Sequence, residues 1–349
     1  MDRQNYTLGK TEVIIIDSSK DESKTSIAAS CKKYDAIYLE GMDSVRKKRN
    51  LGIHSARYEH ILFIDSDVTV KSGLLNEYAN VYLHADRIRL GGVLGYTEFV
   101  GEKSFWWRIL ELTNLVDSFS FAREYPFHSW TIGNNVSFKK CVLEEIGMFE
   151  ENFPFKLGGD DLDMSYRVTK SGYMIISAPN AVAYHSRDTW NNVKAIHDRA
   201  KRWGTMEFFI CERHPELLKQ VILKNYVIEL LVLLLCSIFS LVLQNPLAIF
   251  TALIWFALQV IWLYVGNGLC STFKNPLFFY GAQMVQMVYE FYRIKESLRR
   301  KSLAAFHKSM VFNVYQIKYG IGNDAKRIWM LGILFFVVLF LMKLIMRQV

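Results

Sequence analysis

An apolar run stops at two carboxylates one residue apart in the stretch His60-Ile61-Leu62-Phe63-Ile64-Asp65-Ser66-Asp67-Val68-Thr69. The apolar half predicts a buried parallel strand, because strands covered on both faces are continuously hydrophobic. Asp65 and Asp67 would then lie at its carboxyl end, where open α/β sheets bind their ligands. Two adjacent anionic oxygen ligands suit Mg²⁺ or Mn²⁺ held jointly with substrate phosphates. A strand that simply ends in a turn is the alternative, since Asp and Ser are common turn residues.

Strand and helix patterns alternate along the first part of the chain. Residues 12–17 form a second buried-strand pattern, which ends in Asp17, and a helix and a short strand are predicted over 25–33 and 36–39. This alternation predicts a mostly parallel α/β sheet. Four consecutive cations, ending in Arg49, precede the helix that leads to the Asp65 strand. They form either a solvated face or a group in which Arg49 or a neighbour faces a nucleotide.

A second acidic motif lies in Gly158-Gly159-Asp160-Asp161. Paired glycines allow the backbone to approach a ligand closely, and the helix dipole favours carboxylates in the first turn of a helix. Helix capping accounts for one of the two carboxylates but not for both together with Asp163. His185 follows a further predicted strand, where it is either structural or a metal ligand.

The 349 residues divide near residue 220, because charges are frequent before that point and long apolar runs dominate after it. We therefore predict an α/β domain over residues 1–220 and a membrane region over 221–349. The net charge is +8, and the basic residues lie beside apolar segments. This arrangement favours contact with membrane lipids over nucleic acid, for which no binding motif is present.

The membrane region contains three predicted spans, residues 226–243, 247–265 and 328–346. Residues 276–292 mix polar and aromatic side chains and predict an interfacial helix. The basic residues that follow should face the cytosol. With these spans we expect an integral protein of the cell membrane. Because the N-terminus has no apolar segment typical of a signal peptide, its first domain should lie in the cytoplasm.

Taken in chain order, these motifs resemble those of the family-2 glycosyltransferases of GT-A fold, most closely the membrane-anchored members. The resemblance covers about residues 12–205 and includes Gly133-Asn134-Asn135 and the R-x-x-R-W sequence that begins at Arg199. It implies a Rossmann-like GT-A catalytic domain over residues 1–220. Family members usually begin with an apolar strand and helix ahead of the segment that matches residues 12–17. We expect either a truncated reading frame or another element in that place.

The resemblance also implies roles for individual residues. Asp17 would contact the nucleotide, Asp65 and Asp67 would hold the metal and the diphosphate, and Asp161 would be the general base with Asp160 beside it. With Arg49, the predicted nucleotide-sugar site includes Arg199 and Arg202, which could brace the diphosphate. Trp203, Asn134 and Asn135 are predicted to bind the acceptor, and His185 to be a further metal ligand. The alternative for the R-x-x-R-W group is a helix at the membrane with its cations toward headgroups.

The predicted function is transfer of a hexosyl group from a nucleotide-sugar donor to a lipid-linked or glycan acceptor, with Mn²⁺ or Mg²⁺ as cofactor and, as the resemblance implies, inversion at the anomeric carbon. Three spans are few for a secretion channel, which favours single transfers. A non-catalytic binding or scaffold protein with the same fold is the alternative. A transporter is disfavoured because the apolar segments contain few charges.

Overall fold

The structure is a computed structural model that describes residues 9–85, 88–153, 158–220, 225–242 and 275–310, with isolated positions at 6, 244, 250, 253 and 257. The chain divides into two compact units. The first comprises Met1–Trp107 and Asn114–Ala195, and the second comprises Arg108–Thr113 and Ile196–Val349. Both acidic motifs lie in the first unit.

Eight strands and seven helices precede residue 190 in the described part of the chain. The strands are β1 (Ile14–Asp17), β2 (Ile37–Glu40), β3 (His60–Ile64), β4 (Val68–Val70), β5 (Leu90–Val100), β6 (Phe127–His128), β7 (Asn135–Lys139) and β8 (Met174–Ser186). The helices are α1 (Asp21–Lys33), α2 (Val45–Ser55), α3 (Leu74–Leu83), α4 (Phe105–Leu110), α5 (Phe121–Glu124), α6 (Lys140–Glu145) and α7 (Asp160–Lys170).

The strands form two sheets. β1 and β2 make a parallel pair, and a six-stranded sheet has the order β3-β7-β5-β8-β4, with β6 paired to β8. Within the larger sheet only β5 and β8 are parallel, and the other pairs are antiparallel. The fold is therefore α/β with a mixed sheet, and the prediction of a mostly parallel sheet was wrong. Antiparallel neighbours need no helical crossover, so β7 can enter between β3 and β5.

β3, the strand that carries Asp65 at its end, is an edge strand. Among the described strands it pairs only with β7, antiparallel, and its residues are partly buried or exposed. The prediction of a buried parallel strand was therefore wrong at this position. In the described part of the chain β1 and β3 each have one unpaired side, and Ile15 and Ile64 are exposed there.

The core of the first unit lies between α3 and the sheet. Its buried side chains are Leu74, Tyr78, Leu90, Val93, Ala178, Ala181 and Ala183. Asn135 belongs to the same interior and is fully buried. Its amide donates to the carbonyl oxygens of Tyr96 and Ala181, at 3.0 and 2.9 Å. The Tyr78 hydroxyl donates to Asn135 at 2.9 Å, so one side chain joins α3, β5, β7 and β8.

Gly95 makes room for this junction. A Cβ atom at position 95 would lie 2.4 Å from both the Asn135 amide nitrogen and the Tyr78 hydroxyl. Those contacts are far shorter than van der Waals distance, and a buried polar group that loses its partner destabilises the fold by about 1–3 kcal/mol. The Gly133-Asn134-Asn135 turn is therefore anchored to the interior strands of the sheet through the buried Asn135 side chain.

The second unit is mainly helical. Its described elements are α8 (Val193–Arg213), which begins in the first unit, β9 (Leu218–Gln220), α9 (Asn225–Val242), α10 (Pro276–Arg299), α11 (Ala304–His307) and β10 (Lys308–Met310). β9 and β10 form an antiparallel pair. α8 and α10 touch at Gly204, where a Cβ atom would lie 2.1 Å from the Tyr289 carbonyl oxygen. Arg293 is buried and donates to Glu290 at 2.8 Å and to the Lys308 carbonyl, which secures β10.

Among the residues that the structure describes, no helix is both long and apolar enough to cross a membrane. The predicted span 226–243 coincides with α9, and the predicted interfacial segment 276–292 is part of α10. The predicted span 328–346 lies outside the described residues, as does 247–265 apart from three isolated positions.

Candidate active site

Two acidic motifs from distant parts of the chain meet around Arg49. Asp65 follows β3, and Asp160 is the first residue of α7. Arg49 Nη2 lies 3.3 Å from Asp65 Oδ1, and Nη1 lies 2.9 Å from Asp160 Oδ2. Asp160 is buried, so its carboxylate depends on this cation for compensation. Arg49 thus links the two acidic motifs through direct contacts with one carboxylate of each.

Local structure directs Arg49 to this position. α2 begins at Ser44, whose side chain accepts a hydrogen bond from the Lys47 backbone N–H. The guanidinium of Arg49 lies over Phe149, with 5.2 Å between Cζ and the ring centroid. It also passes against Gly133, where a Cβ atom would come within 2.7 Å of Nη2. Glycine at position 133 therefore leaves the space that the arginine occupies.

Asp65 is a carboxylate that favours a nearby cation. Burial raises the pKa of Asp65, the negative charge of Asp67 raises it further, and Arg49 acts in the opposite direction. A carboxylate whose charged form is disfavoured by its surroundings gains most from an added positive charge. The end of β3 is consequently suited to binding a cation.

Asp67 faces His185 across the pairing of β4 with β8. Asp67 Oδ2 lies 3.4 Å from His185 Nε2, and His185 Nδ1 lies 2.9 Å from the Ser186 carbonyl oxygen. A carbonyl only accepts hydrogen bonds, so Nδ1 carries a ring proton, and Nε2 faces the carboxylate either as a donor in the imidazolium form or with a lone pair in the neutral form. Phe99 and Trp190 pack against the ring. Two acceptors in such contact require a cation or a second ring proton between them.

These residues fit a metal ion that is shared with a substrate. Among the described residues, no three His, Cys, Asp or Glu side chains lie close enough together to hold a metal by themselves. The Asp65 carboxylate is turned toward Arg49, which leaves Asp67 and His185 as the adjacent pair. Mg²⁺-type ions usually take one or two protein carboxylates and complete their coordination with water and phosphate oxygens. The donor set agrees with that kind of site.

Asp161 is held by backbone hydrogen bonds. Its Oδ2 accepts from the Gly133 N–H and its Oδ1 accepts from the Leu162 N–H, both at 3.0 Å. Burial raises the pKa of Asp161 to about 6, the charge of Asp160 contributes to the increase, and Arg49 opposes it. A carboxyl group with a pKa close to neutral pH can accept and release a proton efficiently. Asp161 therefore has the properties of a general base.

The other polar residues of these motifs are engaged within the fold. Asp163 is buried and accepts from Arg167 Nε at 3.0 Å, an ion pair that accounts for the third carboxylate structurally. Asn134 is buried and exchanges hydrogen bonds with Thr97. The Asn135 amide also lies inside the sheet. The contact of this turn with the acidic motif is made by the backbone N–H of Gly133, which donates to Asp161. The acceptor role of the two asparagines stays a prediction.

Asp17 lies at the end of β1, in the smaller sheet. The side chain and the backbone N–H of Ser19 lower its pKa, and the Tyr38 hydroxyl donates to it at 3.1 Å. Lys48 of α2 donates to Ser18 at 3.2 Å, which links this strand end to the helix that carries Arg49. Its nucleotide role stays a prediction.

The R-x-x-R-W residues lie in the part of α8 that belongs to the second unit. Arg202 is exposed, and Arg199 and Trp203 are partly buried. Their predicted contacts with the diphosphate and the acceptor stay predictions.

One residue at the site was not singled out from the sequence. Arg46 is buried, and its Nη2 lies 3.9 Å from Asp160 Oδ1. It precedes Arg49 by three positions and therefore lies on the same side of α2. The spacing of three residues between Arg46 and Arg49 was the sequence feature that could have predicted Arg46 as part of the site.

The chain is a glycosyltransferase with a GT-A-like α/β fold. It belongs to the glycosyl transferase family group 2, which it matches over residues 60–273. It is 26% identical to chondroitin synthase of Escherichia coli over 219 residues, 51% of this chain and 31% of that protein. It is 24% identical to hyaluronan synthase of Pasteurella multocida over 209 residues, 50% of this chain and 21% of that protein. The chain thus spans less than a third of the length of these relatives.

Among solved structures, the chain resembles the mannosyltransferase PcManGT from Pyrobaculum calidifontis in complex with GDP-Man and Mn²⁺. The TM-score is 0.50 at 16% sequence identity, and the match covers 84% of this chain and 80% of that chain. This likeness concerns the fold.

Arg49 and Asp160 should behave as a coupled buried pair. We expect Arg49→Met to lower the free energy of unfolding by about 3 kcal/mol, because it leaves a buried carboxylate undercompensated. Asp160→Asn should then cost much less in the Arg49→Met background than alone. The coupling is measured with a double-mutant cycle in urea. The exposed pair Lys24 and Glu40, 2.7 Å apart, is the control and should couple by less than about 1 kcal/mol. Equal coupling in the two pairs would contradict the assignment.

Proposed function

We propose that this chain is a metal-dependent, inverting glycosyltransferase of polysaccharide biosynthesis that moves a sugar from a nucleotide-sugar to a lipid-linked or glycan acceptor. The observation that carries the proposal is the position of Arg49 between Asp65 and Asp160, at 3.3 and 2.9 Å. A single guanidinium places the metal-binding motif and the base-bearing motif side by side. Transfer between two bound substrates requires that proximity.

The donor side of the site consists of Asp65, Asp67 and His185. In the proposal these residues hold Mn²⁺ or Mg²⁺ together with the diphosphate. The metal, when bound, acts as a Lewis acid that stabilises the negative charge of the leaving nucleoside diphosphate. The contact between Asp67 and His185 supports this assignment, because it places a carboxylate oxygen and an imidazole nitrogen 3.4 Å apart, where both can bind one cation. The Ser186 carbonyl fixes the imidazole tautomer, as second partners of metal-binding histidines commonly do.

The acceptor side depends on Asp161. An acceptor hydroxyl becomes a good nucleophile when a carboxylate removes its proton during attack. Asp161 is partly buried, and the N–H groups of Gly133 and Leu162 fix its orientation. Asp160 is engaged by Arg49 on one oxygen and faces Arg46 on the other, which leaves Asp161 as the proton acceptor of the pair. Direct displacement with this base inverts the anomeric carbon.

The class of acceptor is inferred from the relatives that the chain resembles. Relatives named chondroitin synthase and hyaluronan synthase support a glycan acceptor. A lipid-linked acceptor is tied to the membrane location proposed below. Arg199, Arg202 and Trp203 remain our candidates for diphosphate and acceptor contacts, and Asp17 for the nucleotide. A non-catalytic binding protein with the same fold is the alternative function, and the transfer assay below distinguishes the two.

Metal dependence is the first test of the function. In a screen of nucleotide-sugars scored by release of nucleoside diphosphate, a chelator should abolish turnover and Mn²⁺ or Mg²⁺ should restore it. Asp67→Asn and His185→Gln should each raise the metal concentration for half-maximal rate by about tenfold or more. Asp188→Asn is the matched control, because it removes an exposed carboxylate close to His185 in sequence.

Two outcomes would count against this assignment. Full turnover in excess chelator would exclude the metal. Donor binding by calorimetry with Mn²⁺, combined with no transfer to any acceptor, would favour the non-catalytic alternative.

The base assignment makes a second test. Asp161→Asn keeps the shape of the side chain but cannot take a proton, so kcat should fall by about 10²–10⁴-fold while donor affinity is retained. In the unaltered protein kcat should rise with pH and be half-maximal near pH 6, where Asp161 loses its proton. Asp160→Asn removes a like charge and should move that midpoint to lower pH. A larger loss of kcat in Asp160→Asn than in Asp161→Asn would reverse the assignment.

We further propose that the chain is an integral protein of the cell membrane, with spans at 226–243, 247–265 and 328–346 and the catalytic unit in the cytoplasm. The surface of α10 supports an interfacial position. Leu277, Tyr280, Phe291 and Leu298 are exposed, and their spacing places them on one side of the helix. Lys201 and Lys295 lie 5.4 and 5.9 Å from the Tyr292 ring centroid. Apolar side chains flanked by ammonium groups suit an anionic bilayer surface.

Alkaline carbonate extraction of membranes tests this location. An integral protein is expected to remain in the membrane pellet at alkaline pH, because its spans lie in hydrocarbon. Release by high salt alone would indicate that only the basic apolar surface of α10 contacts lipid. Recovery in the soluble fraction from the outset would contradict the membrane proposal altogether.

A further inference from the structure

The loop between α6 and α7 is held at its start by α2. Asn50 is buried and bonds to both backbone groups of Phe149: its amide donates to the carbonyl at 2.8 Å, and its carbonyl oxygen accepts the N–H at 2.9 Å. The amide also donates to Glu151 at 3.0 Å. A side chain that satisfies both groups of one residue fixes the position of the backbone there.

Arg46 contacts the end of the same loop. Its Nη2 lies 3.5 Å from the Gly158 carbonyl oxygen and 3.9 Å from Asp160 Oδ1, and its Cζ lies 4.6 Å above the Phe153 ring centroid. The side chain is buried, and its Nε has no hydrogen-bond partner among the described residues. Burying a guanidinium that is only partly satisfied is unfavourable unless its charge is compensated. Asp160 supplies the compensating charge.

We propose that Arg46 is a positioning residue for the acidic pair: it fixes the Gly158 carbonyl and the Asp160 carboxylate, and thereby sets the place and the charge environment of Asp161. The inference rests on the proposed role of Asp161 as the base. Arg46 would act through Asp160 and the loop backbone, and the acceptor itself would contact Asp161.

The backbone before the acidic pair needs such a restraint. Gly158 and Gly159 have φ angles of +93° and +76°, in a region that glycine enters without steric strain. Two consecutive glycines lose more conformational entropy on ordering than other residues, so this junction is intrinsically mobile. An arginine that binds the Gly158 carbonyl opposes that mobility.

Arg46 and Arg49 also differ in their ion-pair partners. Arg49 divides its charge between Asp65 and Asp160, so a donor that engages Asp65 changes the partners of Arg49. The ion pair of Arg46 is with Asp160 alone among the described carboxylates. Arg46 thus keeps the acidic pair in place whatever the state of the donor side.

Three variants test the proposal. Arg46→Met removes the cation and the hydrogen bond, Arg46→Lys keeps the cation, and Lys47→Met removes a cation from the next position of α2 as the matched control. In Arg46→Met we expect kcat to fall by about 10–100-fold, because a small displacement of a catalytic group has an effect of that size. The KM for the donor should change by less than about threefold, since the donor-side residues are untouched.

The pH profile separates positioning from a general loss of stability. Without the positive charge of Arg46 the carboxylate of Asp161 is harder to form, so the midpoint of the kcat profile in Arg46→Met should move to higher pH. In Arg46→Lys the midpoint should stay, while kcat still falls because the contact with Gly158 is lost. Lys47→Met should resemble the unaltered protein in kcat, KM and midpoint.

Three results would overturn the inference. They are an unmoved midpoint in Arg46→Met, equal losses of kcat in Arg46→Met and Lys47→Met, or unaltered kcat in Arg46→Lys. If Arg46→Met does not fold, as judged by thermal unfolding, the kcat of Arg46→Lys decides alone. A wrong assignment of Asp161 as the base would be recognised independently, because the Asp161→Asn variant would then retain its turnover.

Discussion

The site depends on one guanidinium that is shared by two carboxylates. Arg49 joins Asp65 to Asp160, residues that are far apart in the chain and that would repel each other without it. Burial disfavours the charged form of carboxylates, and a fixed cation offsets that effect. Glycine at position 133 makes the arrangement possible, since any side chain there would displace the arginine. The same turn donates the N–H that orients Asp161, so a single loop serves both carboxyl groups of the acidic pair.

The parts of the site that the sequence predicted are those encoded by local pattern. The apolar run before Asp65 ends where a ligand edge begins, and paired glycines before Asp160 mark the start of a helix. Both sequence features, the apolar run and the glycine pair, lie within a few residues of the carboxylates whose positions they predict. Asp67 and His185 were both proposed as metal ligands from the sequence, and the pairing of β4 with β8 brings them within 3.4 Å of each other.

What the sequence did not reveal depends on partners that lie elsewhere in the chain. The direction of β3 is decided by β7, and an apolar run alone does not specify whether its neighbour is parallel. Arg46 belongs to a run of cations that is typical of a solvated face, yet it turns inward because α2 packs its face against the loop before α7. The burial of Asn135 likewise depends on the absence of a side chain at Gly95, a relation that no local pattern shows.

The edge position of β3 has a thermodynamic consequence for ligand binding. β3 pairs on one side only within the described chain, whereas β5, β7 and β8 pair on both. Local opening is easier where fewer backbone hydrogen bonds must break, so amide protons in β3 should exchange with solvent faster than those in β5. Asp65 therefore follows an edge strand of the sheet, whereas Asp161 accepts a hydrogen bond from the Gly133 turn that leads into the interior strand β7. If the proposed donor binds at this edge, its apparent affinity would equal the intrinsic affinity multiplied by the fraction of molecules in which β3 is closed.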